Sequence, residues 1–444
     1  MQRKRVLQAI FWIALYLILT FAPLIVLFTS ERPPGREFWR EFSVALGFCG
    51  LAMMALQFVL TARFQTLKAP YGSDVVYFFH RQISLVTFTL ILAHPILLFI
   101  FAPSDYLPLL NLVSAPWAAR LGVTALLAAA GLIVFSIYRK RLRLDYTLWR
   151  ITHGILAILA VGLATGHIIL RAHYLNTPLK QALWIGYGLF WIGLLIYVRL
   201  LRPWMLLRHP YLVAQVIPER GNAVTLRLRP THPPALRFQP GQFAWITAWR
   251  SPFSDTEHPF SISSSAENRD FLDFTIKELG DFTRTVRSLQ VGQKVYVDGP
   301  YGAFSTDRQP HAQQFIFIAG GIGITPMMSM LRTFVDRREP RPLTLIYANR
   351  NWEGVTFREE LEQIRSRLNL NLIHVLEQPP EDWNGERGFI SENLLRRCLP
   401  EGAAENMVEI FICGPKPMMD AVEKALVRLG IPYGDFHSER FDFV

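Results

Sequence analysis

The stretch from His80 to His94 reads HRQISLVTFTLILAH and lies inside a long apolar run. A second stretch of the same length, HGILAILAVGLATGH, runs from His153 to His167. In an α-helix this spacing corresponds to a rise of about 21 Å and returns the second residue to nearly the same face. Each stretch is therefore predicted to be a membrane helix with one histidine toward each surface of the bilayer.

The apolar residues of the chain are concentrated in its first two hundred positions. The 444 residues are 51% hydrophobic, and runs long enough to span a bilayer, roughly 20 residues each, are predicted at 7–29, 42–61, 75–101, 119–138, 147–170 and 181–201. The net charge of +11 lies mostly beside these runs, where basic residues set topology, so no nucleic-acid partner is expected. Three scattered cysteines give neither a disulfide framework nor a zinc site.

Basic residues lie predominantly on one side of the predicted spans, at 3–5, 63–68, 139–143 and 202–208. The loop 103–118 has no Lys or Arg, whereas the three arginines of loop 30–41 are matched by three glutamates. This bias predicts a cytoplasmic N-terminus, and six spans return the C-terminal half to the cytoplasm. We therefore expect a multi-pass protein of the cell inner membrane, with the lipid bilayer as a partner.

The two histidine spacings favour haem ligation. The third and fifth spans run in the same direction, so His80 and His153 share one depth, and His94 and His167 share another. Each pair offers one imidazole from each helix, as a bis-histidine haem requires. A single histidine of this kind is typical of a polar residue at a helix interface. The matched spacing in two helices favours two haems, one above the other.

The C-terminal half contains two different sequence patterns. Residues 211–305 contain short alternating apolar runs separated by Gly and Pro, which is typical of a small β-barrel. From residue 313 onward, strands alternate with helices, which indicates a parallel sheet. The predicted architecture is a six-span membrane α-helical bundle in 1–205, a β-barrel domain in 206–308 and an α/β nucleotide-binding domain with a parallel sheet in 309–444.

A glycine-rich turn, AGGIGITP, follows the apolar strand QFIFI. Glycines let the backbone approach a pyrophosphate, and the following helix offers free N–H groups. A strand–helix turn without a ligand is the alternative interpretation. The candidate cofactor-binding residues here are Gly320, Gly321, Gly323, Thr325 and Pro326.

A second segment, CGPKPMMD, completes the predicted dinucleotide site. Its Cys413, Gly414 and Pro415 follow an apolar strand, where the nicotinamide would lie. Arg350 follows another strand and suits a 2′-phosphate, because arginine matches phosphate geometry. This favours NADPH, with NADH as the alternative.

The segment HPFSISSS resembles the flavin-binding signature of the ferredoxin-NADP reductase superfamily. The matching residues are His258, Pro259, Phe260, Ser261, Ile262 and Ser263. The segment GDFT, formed by Gly280, Asp281, Phe282 and Thr283, resembles the phosphate-side segment of the same signature. The superfamily often has arginine where His258 stands, and HPFS alone is also compatible with a plain barrel turn. The resemblance implies FAD, with a C-terminal aromatic over the flavin ring: Phe441, or alternatively Phe443. Cys413 and Phe441 are then the candidate catalytic residues.

Nearly the whole chain resembles the ferric reductase and NADPH oxidase superfamily, and especially its compact bacterial oxidases. The resemblance implies b-type haems held by His80 with His153 inside and by His94 with His167 outside. It also implies electron transfer from cytoplasmic NADPH through FAD and the haems to an outer acceptor. Dioxygen reduced to superoxide is the first expectation. Ferric iron, free or chelated, and a periplasmic partner protein are the alternatives. His173 and Arg171 lie in a short outer loop where an acceptor would bind.

Overall fold

The computed structural model describes residues 2–31, 33–64, 73–254, 256–399 and 407–440. The chain forms two compact units, the first of residues 1–70 and 75–203 and the second of residues 71–74 and 204–444. The first contains the long apolar helices and the second contains two six-stranded sheets. We describe each unit by itself.

Helices make up most of the first unit. They are α1 (Gln2–Thr29), α2 (Phe38–Thr61), α3 (Ser73–Phe101), α4 (Pro103–Tyr106), α5 (Trp117–Ile137), α6 (Tyr146–Arg171) and α7 (Pro178–Ile196). The next helix, α8 (Arg202–Arg208), begins in this unit and ends in the second. A π-helical turn, Tyr197–Leu201, joins the last two. Six segments of the described residues are long and apolar enough to cross a membrane: 7–29, 38–61, 75–101, 117–137, 146–171 and 178–208. The six predicted spans are confirmed, and the chain is a multi-pass membrane protein.

Small residues let α5 and α6 pack closely. Ala128 and Ala129 of α5 and Ala160 of α6 are buried together in one apolar cluster. Small side chains allow two membrane helices to approach, which increases van der Waals contact between them. Asp145 begins α6 by accepting hydrogen bonds from the backbone N–H groups of Thr147 and Leu148, which satisfies two donors of the first turn. This packing holds both histidines of α6 beside α5.

An antiparallel sheet occupies the first part of the second unit. Its strands are β1 (Tyr211–Glu219), β2 (Ala223–Pro230), β3 (Phe243–Ala248), β4 (His258–Ser261), β5 (Leu272–Lys277) and β6 (Lys294–Tyr301), in the order β4-β3-β6-β1-β2-β5. The two edge regions meet at one isolated bridge, between Ile262 and Phe274. Short strands lie in 211–305 as the sequence predicted, but no continuous ladder closes them into the predicted barrel. β4 has only four residues, which leaves little length for a second ladder. A short helix, α9 (Asp281–Thr285), follows β5.

The second sheet is parallel, as predicted. Its strands are β7 (Gln314–Gly320), β8 (Leu343–Asn349), β9 (Leu370–Leu376), β10 (Glu386–Arg387), β11 (Val408–Cys413) and β12 (Phe436–Glu439), in the order β10-β9-β8-β7-β11-β12. The helices between them are α10 (Ile324–Arg337), α11 (Arg358–Arg365), α12 (Glu392–Cys398) and α13 (Lys416–Arg428).

Both faces of the parallel sheet are covered. Phe315 and Phe317 of β7 belong to one apolar cluster, whereas Ile316 and Ile318 belong to another. Successive side chains of a strand point to opposite faces, so a strand buried on both sides is apolar throughout. This is why β7 reads as the unbroken apolar run that precedes the glycine-rich turn.

Candidate functional site

The four histidines of α3 and α6 form two pairs. The rings of His80 and His153 have their centroids 6.4 Å apart with planes at 61°. Those of His94 and His167 are also 6.4 Å apart, with planes at 68°. Among the described residues, no group of three or more His, Cys, Asp or Glu side chains converges on one point. The arrangement is therefore two separate two-histidine sites.

The ring separation fits one metal atom between each pair. An imidazole nitrogen binds a metal at about 2 Å, so two rings bound on opposite sides would have centroids roughly 6 Å apart. Two histidines on opposite sides of a metal are an axial ligand set for haem iron. The residues present therefore fit two haems, one for each pair.

Hydrogen bonds orient three of the four rings. His94 Nδ1 lies 2.9 Å from the carbonyl oxygen of Ser43, and His167 Nδ1 lies 2.6 Å from that of Ala118. His153 Nδ1 lies 3.1 Å from Ser136 Oγ. A ring nitrogen that donates to a carbonyl fixes the tautomer and leaves the other nitrogen for a metal, as in ligated histidines generally. His80 Nδ1 is buried and has no hydrogen-bond partner among the described residues.

Two glycines make room for the rings. A Cβ at Gly47 of α2 would lie 3.3 Å from the His94 ring, and a Cβ at Gly122 of α5 would lie 2.8 Å from His167 Nδ1. The second distance is shorter than a side-chain carbon tolerates. The His94–His167 pair is thus closely surrounded by helix backbone on two sides.

A cluster of charged and aromatic side chains lies at the same end of the bundle. Glu41 Oε1 accepts hydrogen bonds from the backbone N–H of Arg36 and the hydroxyl of Tyr174. The Arg36 guanidinium lies 5.8 Å from the centre of the Tyr174 ring. Arg40 Nε and His173 Nε2 are buried without a hydrogen-bond partner among the described residues. Burial, followed by the nearby Arg36, lowers the pKa of His173, and Glu41 opposes this shift.

The helix face of α2 connects this cluster to the histidine pair. Arg40, Ser43 and Gly47 are three and four positions apart, so they share one face of the helix. Because Ser43 and Gly47 contact His94, Arg40 points to the same side, one turn nearer the helix end. Of the two residues that the sequence singled out here, the structure places His173 in this cluster. Arg171 is close enough to both histidines of the pair to act on them electrostatically.

In the second unit, the two flavin-like segments lie together. The rings of His258 and Phe282 stack with centroids 4.0 Å apart, and Phe260 also lies against Phe282. Thr283 Oγ1 accepts hydrogen bonds from the backbone N–H groups of Leu279 and Gly280, which shapes the GDFT turn. Segments separated in sequence thus form one aromatic surface.

Ser261 is the hydroxyl of the HPFSIS segment that is free for a ligand. It is only 4% exposed, and its Oγ has no hydrogen-bond partner among the described residues. By contrast, Ser263 Oγ lies 3.0 Å from Thr275 Oγ1, and the Ile262 side chain is part of the sheet core. A buried hydroxyl without a partner is costly, and a bound flavin would relieve that cost. The residues fit FAD on this ground.

The glycine-rich turn and the CGP segment interlock at the carboxyl ends of β7 and β11. These strands pair in parallel, with Ala319 beside Cys413. A Cβ at Gly323 would overlap the carbonyl oxygen of Cys413, and a Cβ at Gly414 would lie 3.0 Å from Gly320. The glycines are therefore required by backbone approach. The start of α10 follows this turn directly, and a helix N-terminus of this kind suits a phosphate group.

The remaining predicted residues of this site differ in exposure. Thr325 and Pro326 are buried, and Thr325 Oγ1 donates to the carbonyl of Ile322, so both shape the turn. Arg350 is exposed just after β8, and Pro415 is exposed just before α13. Gly321 has φ +52°, a left-handed conformation that glycine adopts without strain.

Cys413 has a buried acidic neighbour that sequence reasoning missed. Its side chain is fully buried, and β11 pairs with β12 so that Cys413 lies beside Glu439. Burial, and then the charge of Glu439, raise the pKa of the Cys413 thiol well above its usual value, so it remains protonated at neutral pH. The sequence signal for this neighbour was the single glutamate of β12, Glu439.

The two aromatic candidates for covering the flavin ring, Phe441 and Phe443, lie outside the described residues.

Three family models match successive parts of the chain. The model described as ferric reductase like transmembrane component matches residues 46–164, the FAD-binding domain 207–305, and the oxidoreductase NAD-binding domain 317–424. Together with the fold, these matches show that the two sheets of the second unit form a flavin- and nucleotide-binding module and that the helix bundle is its membrane part. The chain therefore has a ferric reductase-like transmembrane domain, followed by an FAD-binding domain and an NAD-binding domain.

Several curated proteins are similar to parts of this chain. The glycine betaine monooxygenase reductase subunit of Chromohalobacter salexigens is 31% identical over 241 residues, which cover 53% of this chain and 64% of that protein. NADH-cytochrome b5 reductase 1 of Pyricularia oryzae is 36% identical over 174 residues, covering 38% and 55%. The chain thus spans less than two thirds of the length of either relative. The cytochrome b5 reductase domain of Ulva prolifera nitrate reductase superposes with a TM-score of 0.46 at 22% identity, covering 52% of this chain and 96% of that domain.

Proposed function

We propose that this chain carries electrons from NADPH on the cytoplasmic side of the inner membrane to an acceptor on the outer side. It would hold FAD and two b-type haems for this purpose. The observation that carries the proposal is the geometry of the two histidine pairs, each 6.4 Å between ring centroids. Two such pairs in one bundle provide binding sites at two depths, as transfer across a membrane requires.

The residues that would hold each cofactor follow from the described contacts. His80 with His153 would bind the inner haem, and His94 with His167 the outer one. Ser261 would donate to the flavin beside the His258–Phe282 surface, and the glycine-rich turn would bind the pyrophosphate of NADPH. When bound, FAD accepts an electron pair as hydride and haems carry single electrons, which matches a two-electron donor to a one-electron acceptor.

The chain's own residues have three tasks in this function. Ser43, Ala118 and Ser136 orient histidine rings. The membrane helices exclude water between the two histidine pairs. Gly320, Gly323 and Gly414 bring the ends of β7 and β11 close together, so that a nicotinamide can lie beside the flavin site. We assign the domains as 1–205 for the membrane bundle, 206–308 for FAD and 309–444 for the nucleotide.

Dioxygen is the proposed acceptor. One NADPH supplies two electrons, so two dioxygen molecules give two superoxide ions, with NADP⁺ and one proton as the other products. The cluster at the His94–His167 end supports this, because Arg36 and Arg40 exceed the charge of Glu41 and would stabilise an anionic product. The resemblance to compact bacterial oxidases points the same way.

Ferric chelate reduction is the second candidate. The same excess of positive charge would attract an anionic ferric chelate such as ferric citrate.

Parallel assays of the purified full chain with NADPH distinguish these acceptors. Cytochrome c reduction that superoxide dismutase abolishes would establish the oxidase. Turnover with ferric citrate that persists without oxygen and with the dismutase would establish the reductase. Activity that appears only with an added periplasmic protein would indicate a partner as acceptor. Absence of NADPH oxidation by a chain loaded with FAD and haem, under all three conditions, would contradict the proposal.

A further inference from the structure

One face of α10 is bonded to the segment that follows the flavin strand β4. Ser329 Oγ donates to the carbonyl of Ser264 over 2.8 Å, and Thr333 Oγ1 accepts from the backbone N–H of Ala266 over 2.9 Å. Both bonds are buried. Ser329 and Thr333 are four positions apart, so they share one face of the helix. Arg332 lies on this face between them.

Arg332 is the charged member of this face and the centre of the connection. Its Nη1 donates to the carbonyl of Ser263 over 2.6 Å. Its Nε and Nη2 donate to the two carboxylate oxygens of Glu360 on α11 over 2.7 and 2.6 Å. The guanidinium also lies 4.9 Å from the centre of the Phe357 ring. A planar guanidinium held on three sides has one orientation, which a lysine would not reproduce.

This connection joins the glycine-rich turn, which would bind NADPH, to the segment that would bind the flavin. α10 begins at the glycine-rich turn, and Arg332 lies eight residues into it, about 12 Å from its first residue. Ser263 is two residues beyond Ser261, whose buried hydroxyl has no partner among the described residues and is the one proposed to bond the flavin. The helix α10 and the Arg332 guanidinium therefore fix the distance between the glycine-rich turn and the Ser261 hydroxyl.

We propose that Arg332 is a positioning residue that holds Ser261 and the flavin in register with the nicotinamide. The inference rests on the proposed function. In that function NADPH would give a hydride, with its two electrons, to the flavin and would become NADP⁺. The rate of this transfer depends steeply on the placement of both partners. The described contacts of Arg332 reach the flavin segment through the Ser263 carbonyl and the glycine-rich turn through α10, so its effect on the reaction would be one of positioning.

Arg337 of the same helix offers a matched control. It bonds Glu267 over 2.7 Å and Asp307 over 2.6 Å, so it also ties α10 to the antiparallel-sheet half. These partners are exposed or half-buried surface carboxylates, and neither belongs to the HPFSIS segment. If Arg332 only helped to hold α10 against the antiparallel-sheet half, substitution of Arg337 or of Arg332 should slow flavin reduction alike. If Arg332 positions Ser261, only the Arg332 variants should slow it.

The test compares Arg332→Met, Arg332→Lys and Arg337→Met in the full chain purified with FAD. Anaerobic stopped-flow absorbance gives the limiting rate of flavin reduction by NADPH. Titration with NADP⁺, followed by the flavin spectrum, gives a Kd without turnover. We expect Arg332→Met to slow the limiting rate by about tenfold or more, because misplacement of reacting groups by about 1 Å can cost roughly 100-fold. The Kd of NADP⁺ should change little, Arg332→Lys should recover part of the rate, and Arg337→Met should resemble wild type.

Melting temperature and FAD content separate positioning from misfolding. If Arg332→Met loses FAD, the double variant Arg332→Met/Glu360→Gln, which leaves no unpaired carboxylate, takes its place with the same expected result. A wild-type limiting rate in the folded variant, or an equal loss in Arg337→Met, would overturn the inference. Failure of NADPH to reduce the flavin of the wild-type chain would instead overturn the proposed function.

Discussion

Ser261 combines burial with an unused hydroxyl, a costly state for a protein side chain. Ser261→Ala should keep FAD bound and slow its reduction by NADPH, since a hydrogen bond to the reacting ring would be lost. We expect a loss of roughly 5- to 100-fold, equivalent to about 1–3 kcal/mol. Stopped-flow absorbance of the flavin measures it. Ser265→Ala is the control, because that hydroxyl accepts from the backbone N–H of Glu267 within its own loop. Equal rates in both variants would remove Ser261 from the site.

Arg350 decides nicotinamide preference if it binds the 2′-phosphate. Arg350→Ala should lower kcat/KM for NADPH by about tenfold and leave that for NADH nearly unchanged, because only NADPH carries the additional charge. Steady-state kinetics with both nucleotides measure this. Arg396→Ala, which removes an exposed arginine paired with Glu392 on α12, serves as control. An unchanged ratio of kcat/KM for NADPH to kcat/KM for NADH would argue that the site does not contact the 2′-phosphate.

At the level of residues, sequence spacing predicted which histidines pair but not what orients them. His80 and His94 share a helix, so their relation follows from helical geometry alone. The Ser43 carbonyl beside His94 and the Ala118 carbonyl beside His167 come from other helices and depend on packing. Glu439 was missed for the same reason, because its position beside Cys413 depends on the pairing of β11 with β12.

At the level of elements, α5 approaches the His167 ring at a glycine. Gly122→Ala would place a Cβ 2.8 Å from His167 Nδ1 and displace the ring from its bond to Ala118. We expect haem binding at this pair to weaken by about 10-fold or more, in the range seen when metal-ligand orientation is disturbed. Haem per protein, measured after gel filtration, should fall toward half. Gly186→Ala on α7, whose Cβ would meet nothing within 4 Å, should retain full haem content, and equal haem content in both variants would count against the packing described here.

Elements were predictable where length and apolarity decide them. The six spans follow from runs too apolar for solvent. The strand–glycine–helix unit at β7 follows from the glycine-rich segment that comes directly after an apolar run. The closed barrel is not confirmed, because closure depends on how long β4 is and where it pairs. The π-helical turn at Tyr197–Leu201 has no clear sequence signal.

On the scale of the whole molecule, the proposal requires the loop between α3 and α5 outside and the two sheets inside. Single cysteines at two exposed positions test this topology, Ser104→Cys on α4 and Ser288→Cys in the antiparallel-sheet half. A membrane-impermeant maleimide on intact spheroplasts should label the first and spare the second, which should react only after lysis. The cysteines in the described residues are buried or half-buried, so the unsubstituted chain controls for background. Labelling of Ser288→Cys from outside would reverse the proposed direction of electron transfer.

The most direct test of the central proposal is haem content with the dithionite-reduced visible spectrum of the detergent-purified protein, for wild type and His94→Leu. We expect two b-type haems per wild-type chain, because two histidine pairs have metal-compatible separation, and one haem per chain in the variant. The flavin of the variant should still be reduced by NADPH, while transfer to the outer acceptor should stop. A wild-type chain without haem bands, or a His94→Leu variant with two haems and full activity, would contradict the function proposed for the paired histidines.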